Sequence, residues 1–344
     1  MSVRFATSTE TAHWDSHILR QPDGGNVFSS KTYAEIKKRT HYAPRFIFVN
    51  DTPITVLEKN TLPLGKLWYL PKGPNTTSTK TLLAILEELT QFARRNNVFV
   101  VRIESEIDRS EEATLQEYGL IKAKPIIPNA STITLDISTP AAELLLTLPQ
   151  KGRHAIRRAE RDGVTVTQVP ANEENCQIMY GLLRETAAGQ FGIRAYSYYR
   201  TFWQSFADAN QGQLFFAYYE DAVVAGAYAM AYGKKSTYKD GASVRQRTAY
   251  GASHLLQWSV IQWAQTKGAL IHDFCGSPPS DQLQNKEHPH YGVGLFKLSL
   301  SKQVVDYIGC YDYVVLPLAY RTWTAIGERV YRSAYYRLTK DYYY

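Results

Sequence analysis

The run Val98-Phe99-Val100-Val101-Arg102-Ile103-Glu104 is almost continuously apolar, and it follows an amphipathic stretch, 79–96, in which Leu82, Leu83, Leu86, Leu89, Phe92 and Ala93 share one face. The first pattern predicts a strand buried on both sides; the second predicts a helix. Upstream, strands are expected at 45–50, 55–58 and 66–70, the last ending in the turn Pro71-Lys72-Gly73-Pro74, with a serine-capped helix at 31–39 before them. Downstream, a short helix is expected at 111–118 and a strand at 132–135.

The second half repeats this order without repeating its letters. Helices at 173–188 and 196–210 precede strands at 214–219, 223–232 and 237–239. A long helix at 250–267, carrying Leu255, Leu256, Trp258, Val260, Ile261, Trp263 and Ala264, then leads into a short apolar strand at 270–274 and a final apolar segment at 304–316. An antiparallel meander feeding a helix and then a parallel strand is an α+β, acetyltransferase-like (GNAT-like) plan. Two copies in tandem account for 344 residues, because one core rarely grows beyond about 250–300 residues. The joint is expected at 139–152, giving domains 1–148 and 149–344.

An apolar content of 44% with 21% charged residues suits a folded soluble chain. The net charge of +7 favours an anionic partner such as nucleic acid, a nucleotide sugar or a membrane surface, although a plain basic enzyme has the same balance. Cys176, Cys275 and Cys310 are too few and too scattered for a disulfide framework or a zinc site. Residues 1–20 contain no apolar h-region, and no run approaches about 18 apolar residues, so neither a signal peptide nor a spanning helix is expected. The expected location is the cytoplasm.

Three stretches carry chemistry. In Lys151-Gly152-Arg153-His154-Ala155-Ile156-Arg157-Arg158-Ala159-Glu160-Arg161-Asp162-Gly163, the arginines at 153, 157 and 161 stand at i, i+4, i+8. Such a row fits phosphates, since each guanidinium donates two parallel hydrogen bonds. It also fits a solvated helix face paired with Glu160 and Asp162, the usual setting of a charge run. The second stretch, Arg245-Gln246-Arg247-Thr248-Ala249-Tyr250-Gly251-Ala252, opens the long helix. A thioester cofactor's pyrophosphate would need a glycine-rich turn here, and Tyr250 stands where the first glycine should be if Arg247 opens the motif. The third stretch, Tyr291-Gly292-Val293-Gly294-Leu295-Phe296-Lys297-Leu298, is read as strand-like, with Phe296 facing the core and Lys297 a groove. A fixed ammonium there can hold an oxyanion; an edge lysine that discourages strand pairing is the alternative. His288 and His290 lack the further ligands that zinc requires. The tail 323–344 is basic and aromatic, which suits either an anionic bilayer or packing on the C-terminal lobe.

The sequence resembles the FemABX family in several stretches. They are the opening Phe28-Ser29-Ser30-Lys31-Thr32-Tyr33-Ala34-Glu35-Ile36-Lys37, the basic segment from Lys151, and Phe191-Gly192-Ile193-Arg194 followed by Tyr198-Tyr199. Further on come Tyr238 with Ala242-Ser243, Leu270-Ile271-His272-Asp273-Phe274-Cys275-Gly276, and Gly294-Leu295-Phe296-Lys297. Together these span nearly the whole chain. The resemblance implies two acetyltransferase-like domains building one site, aminoacyl-tRNA as donor and no cofactor. It also implies, as acceptor, the stem peptide of a UDP-linked or lipid-linked muropeptide. The tRNA-binding coiled-coil arm of some members has no counterpart here.

The resemblance also implies roles. Lys37 falls at the lysine that grips the precursor's diphosphate, Arg194 at its arginine partner, Tyr238 at a groove tyrosine and Lys297 at the lysine set against the reacting carbonyl. Lys151, Arg153, Arg157 and Arg158 are assigned to tRNA or phosphate. Glu104 and Asp273, each ending a parallel strand, are the candidate bases. The expected location is cytoplasmic, with peripheral contact at the inner face of the membrane through the C-terminal segment.

Overall fold

The computed structural model describes residues 2–127, 130–188, 192–244 and 249–344. The chain divides into two compact units, Met1–Ala130 with Asp306–Tyr344, and Ser131–Val305. From the N-terminus the strands are β1 (Val3–Phe5), β2 (Ala43–Val49), β3 (Thr52–Asn60), β4 (Lys66–Leu70), β5 (Val98–Ile103), β6 (Ile121–Lys122) and β7 (Ser131–Asp136). They continue with β8 (Thr165–Val169), β9 (Gly212–Tyr219), β10 (Ala222–Tyr232), β11 (Lys235–Ser243), β12 (Ile271–Asp273), β13 (Gln303–Asp306) and β14 (Tyr311–Val314).

The first unit's sheet has the order β1-β2-β3-β4-β5-β14-β6. Only β4 and β5 run parallel, with Lys66 opposite Val98 and Leu70 opposite Ile103. The crossover between them is the helix Thr79–Arg95, whose Leu82, Leu86, Leu89 and Ala93 are buried. They pack with Ile47, Ile54, Val56, Trp68, Val98 and Val101 of the sheet. Ser78 caps that helix by accepting from the Thr81 amide, and Ser30 caps Lys31–Lys38 by accepting from the Tyr33 amide at 3.1 Å.

The second sheet repeats the plan in the order β13-β7-β12-β11-β10-β9-β8. Its parallel pair is β11 and β12, matched only from Lys235 opposite Ile271 to Thr237 opposite Asp273. The crossover helix is Ala252–Thr266, whose buried Leu255, Leu256, Trp258, Val260 and Ile261 pack on the sheet. In both units a strand then adds antiparallel beside the parallel pair: β14 beside β5, and β7 beside β12. The α+β plan of two GNAT-like units is therefore present. Among the described residues the longest helix is the 17-residue Thr79–Arg95, and no coiled-coil arm appears.

The domain limits differ from the sequence expectation of 148/149. The strand at 132–135, read as the end of the first lobe, belongs to the second sheet. The apolar segment 304–316, read as the end of the second, supplies β14 to the first. A buried bidentate pair pins β14 there. Arg102 Nε and Nη2 donate to Asp312 Oδ1 and Oδ2 at 2.7 and 2.9 Å across the registered positions of β5 and β14. The last helix, Glu328–Thr339, accordingly belongs to the first unit. Trp323 is fully buried, 5.7 Å from the Phe99 ring, and Tyr343 covers the buried Lys59 ammonium at 4.0 Å.

Candidate active site

In the second unit, β11 and β12 part after three residue pairs, and chemistry-bearing side chains gather at that parting. Beyond β12 the chain turns sharply. Cys275 and Gly276 both adopt left-handed conformations, at φ 59° and 84°, and this turns their carbonyls toward Lys297. Lys297 Nζ donates to the Gly276 carbonyl at 2.6 Å and also to that of Cys275. Lys297 is buried. Burial pulls its pKa below the ordinary lysine value, opposed by Cys275 and Asp273.

Lys297 lies on the helix Tyr291–Leu298, which corrects the strand-like reading of this segment. The helix can sit on the turn because Gly294 has no side chain: a Cβ there would lie 2.6 Å from Pro278 Cδ. An alternating strand would have set Phe296 and Lys297 on opposite faces; the helix places Lys297 over the carbonyls through its last turn.

Asp273 ends β12, as expected. It accepts from the Cys275 amide at 2.7 Å and from the Thr132 hydroxyl, and so shapes the same turn. The neighbouring His272 is fully buried, with Nδ1 2.8 Å from Ser236 Oγ. Burial and the Lys297 charge push its pKa down to about 3, which keeps the ring neutral.

Sequence reasoning missed Lys239 and Asp240. Tyr228 pairs with Asp240 but Ala229 pairs with Tyr238, so Lys239 is the extra residue of a β-bulge. Lys239 Nζ donates to Asp240 Oδ1 at 2.9 Å, and Trp203 Nε1 donates to Asp240 Oδ2 at 2.9 Å. Burial lowers the Lys239 pKa but Asp240 outweighs it, holding the ammonium above the ordinary lysine value. The signal was Lys-Asp-Gly inside a strand pattern, a glycine-marked irregularity. Tyr238, one residue earlier, packs against the unit's apolar core, and its hydroxyl lies over Gly241. Arg194 stacks on Tyr198 at 4.5 Å, and Tyr198 also acts electrostatically on Lys239.

The basic segment forms the helix Gln150–Arg161. Arg153 Nη1 donates to the Leu146 carbonyl at 2.6 Å; Arg158 pairs with Asp162 at 3.2 Å and covers the Tyr250 ring at 4.7 Å. Lys151 and Arg157 are exposed. Gly251, at φ 79°, caps the helix Ala252–Thr266, and a Cβ there would lie 2.2 Å from the Ala155 carbonyl. That helix start is thus pressed against backbone. Arg245, Gln246, Arg247 and Thr248, which open the pyrophosphate motif, and Phe191 before Arg194 lie outside the described residues.

The first unit has its own recess at the carboxyl ends of β4 and β5. It is small and partly open, and is lined by Lys72, Glu104, Ser105, Ile127, Tyr307 and Gly309 among others. Glu104 is buried and accepts from the Tyr69 hydroxyl and from the Ile126 and Ile127 amides, at 2.5 and 3.2 Å. Burial raises its pKa above the usual carboxylate value despite these donors and Lys72. Lys72 stands 3.9 Å from Glu106 and 5.3 Å from the Tyr307 ring. Lys37, also buried, sits on the helix Lys31–Lys38 with its ammonium 5.4 and 5.7 Å from the Tyr33 and Tyr42 rings. Glu104 and Lys37 thus belong to the first unit; Lys297, Asp273, Tyr238, Arg194 and the basic helix belong to the second.

The acetyltransferase (GNAT) domain family matches residues 150–282, inside the second unit. A protein named lipid II:glycine glycyltransferase from Staphylococcus saprophyticus is 22% identical over 388 aligned positions, covering 89% of this chain and 92% of its own. The protein of the same name from Staphylococcus aureus is 32% identical over 96 residues, covering 28% of this chain and 22% of its own. The crystal structure of FemX superimposes with a TM-score of 0.79 at 19% identity, covering 95% of this chain and all of that one. The chain is thus similar through both units to proteins named lipid II:glycine glycyltransferase, and it shares its fold from end to end with FemX.

Proposed function

We propose that the chain is an aminoacyltransferase that moves an amino acid from aminoacyl-tRNA onto an amine of a peptidoglycan precursor's stem peptide, on the cytoplasmic side of the membrane. The observation that carries this reading is the buried Lys297 ammonium held by two backbone carbonyls. A protonated lysine has three N–H donors, so the third can meet a substrate oxygen. Support for the acceptor class comes from the relatives named lipid II:glycine glycyltransferase.

In the proposed reaction the acceptor nitrogen attacks the ester carbonyl that joins the amino acid to the tRNA 3′ end. The carbonyl oxygen takes up negative charge, which Lys297 stabilises. Collapse breaks the carbon–oxygen ester bond, forms the amide, and releases the ribose hydroxylate, which takes a proton. The nitrogen's surplus proton passes to a base, for which Glu104 and Asp273 are the candidates; the raised pKa of Glu104 suits that task. Lys37 and Arg194 are proposed to hold the precursor diphosphate, and Lys151, Arg153, Arg157 and Arg158 to meet phosphate or tRNA. Tyr238 is proposed to support the groove from the core side. A rival donor, a coenzyme A thioester, is disfavoured by the packing of Gly251 against the Ala155 carbonyl.

The test mixes purified protein with charged total tRNA and, separately, UDP-linked and lipid-linked muropeptides, and reads the mass of the acceptor. A gain of one aminoacyl residue that disappears when the tRNA is uncharged is expected. An unchanged acceptor mass in both arms, or transfer sustained by an acyl-coenzyme A alone, would overturn the reading.

A further inference from the structure

The C-terminal helical segment leaves a two-part surface that the aminoacyl-transfer chemistry does not use. It runs through Pro317–Thr322, the π-helical turn Trp323–Gly327 and the helix Glu328–Thr339. One side is docked: Trp323 is buried, and Tyr331 and Tyr335 are half-buried. On the open side, Ile326 (57% exposed), Val330 (51%), Ala334 and Leu338 (85%) follow at i, i+4 spacing, and Leu318, eight residues earlier, is 80% exposed. Residues so spaced share one flank of a helix. The loop carrying Leu62, itself 69% exposed, abuts that flank: Tyr331 donates to the Leu62 carbonyl, and Leu64 lies against Gly327.

The other open flank carries Arg329, Arg332, Arg337 and Lys340, all exposed, with Arg321 preceding them. Over 317–340 there are five basic residues and one acid, Glu328. That acid is turned inward, 3.5 Å from Arg102 and accepting from the Tyr344 hydroxyl at 2.8 Å. The outward field is therefore positive along its length, beside a stripe of exposed apolar side chains that recur at helical spacing.

We propose that this segment docks the first unit on an anionic lipid bilayer, with Ile326, Val330 and Leu338 entering the headgroup boundary while the arginines meet lipid phosphates. The inference deepens the proposed function only in making the acceptor lipid-linked; the binding itself does not depend on transfer activity. Charge complementarity selects the bilayer over an apolar protein groove, which would leave the arginine flank without counter-charges.

The test is co-sedimentation of the full chain with vesicles of equal phosphatidylglycerol and phosphatidylcholine, against phosphatidylcholine alone. Binding to the anionic vesicles is expected, falling at least tenfold on the neutral ones and on raising salt from about 0.05 to about 0.5 M. Arg329→Ser with Arg337→Ser should weaken binding about twenty-five-fold, since each basic side chain near the surface is worth about fivefold. Ile326→Asp with Leu338→Asp should weaken it roughly tenfold or more. All four positions are exposed, and both double variants should keep the wild-type melting temperature and transfer to a soluble UDP-linked acceptor. No sedimentation of the wild-type chain at low salt, or binding that ignores the Ile326/Leu338 pair, would overturn the proposal. Vesicle binding with these sensitivities but no aminoacyl transfer would instead sink the proposed function and leave this inference standing.

Discussion

Lys297 Nζ lies 2.6 Å from the carbonyl oxygen of Gly276, a residue whose left-handed backbone turns that oxygen inward. A side chain from a late helix and a turn at the end of a parallel strand thereby hold one ammonium still inside a low-dielectric setting, where fixed charge acts most strongly on a developing oxyanion.

Lys297→Met should lower kcat by roughly 10²–10³, the usual loss on removing one oxyanion donor, with little change in acceptor KM. Single-turnover transfer compared with acceptor titration separates the two. Turnover equal to wild type would remove Lys297 from the reaction.

Because burial lowers the Lys297 pKa, the ammonium is lost at a lower pH than for an ordinary lysine. Activity should therefore fall on an alkaline limb below the ordinary value of 10.5. Lys297→Arg should move that limb up or abolish it, since a guanidinium stays charged. A pH profile of kcat in which the two proteins share one limb would contradict this.

His272 should make the protein acid-sensitive. Its folded pKa is about 3 against an ordinary 6.5. Between those values the unfolded chain binds the extra proton, so stability falls as pH drops through that window. At pH 4.5 the loss amounts to about 3 kcal/mol. His254, pushed down to about 4 by burial and Lys151, acts in the same direction. Urea unfolding of His272→Gln at pH 7 and 4.5 should show a smaller difference between the two pH values than wild type does.

Asp312→Ala should destabilise the first unit by about 3–5 kcal/mol, because Arg102 is left buried without its bidentate partner. Denaturant unfolding followed by tryptophan fluorescence measures it. A change below about 1 kcal/mol would mean that Glu328, 3.5 Å from Arg102, takes over the pairing.

Gly251→Ala should cost about 1–3 kcal/mol, since φ is 79° and the new methyl would meet the Ala155 carbonyl. Gly163→Ala, also at positive φ but with open space around it, should cost only the backbone part. Comparing the two variants by thermal melting isolates the steric contribution.

Much of this molecule was legible in one dimension. The amphipathic spacing of 79–96 and the apolar run from Val98 mark a crossover helix and its parallel strand, and the same pair recurs at 250–274. Local periodicity reports these elements because each side chain's burial depends on its own helix or strand period. The segment around Lys297 shows where that ends. Eight residues mixing two glycines with Val293, Leu295 and Phe296 suit either a short strand or a helix, and the choice came from packing Gly294 on Pro278.

By itself, then, the sequence determined the α+β repeat, the residues ending each parallel strand and the basic helix 150–161. Tertiary structure alone decided three things: that β14 returns to the first sheet while β7 joins the second, that a bulge presents Lys239, and that two carbonyls converge on Lys297. Each of those depends on partners between nine and more than two hundred positions apart in the chain. Long-range pairing is selected by complementary burial and charge across elements, as Arg102 and Asp312 show, and no local pattern of letters encodes it.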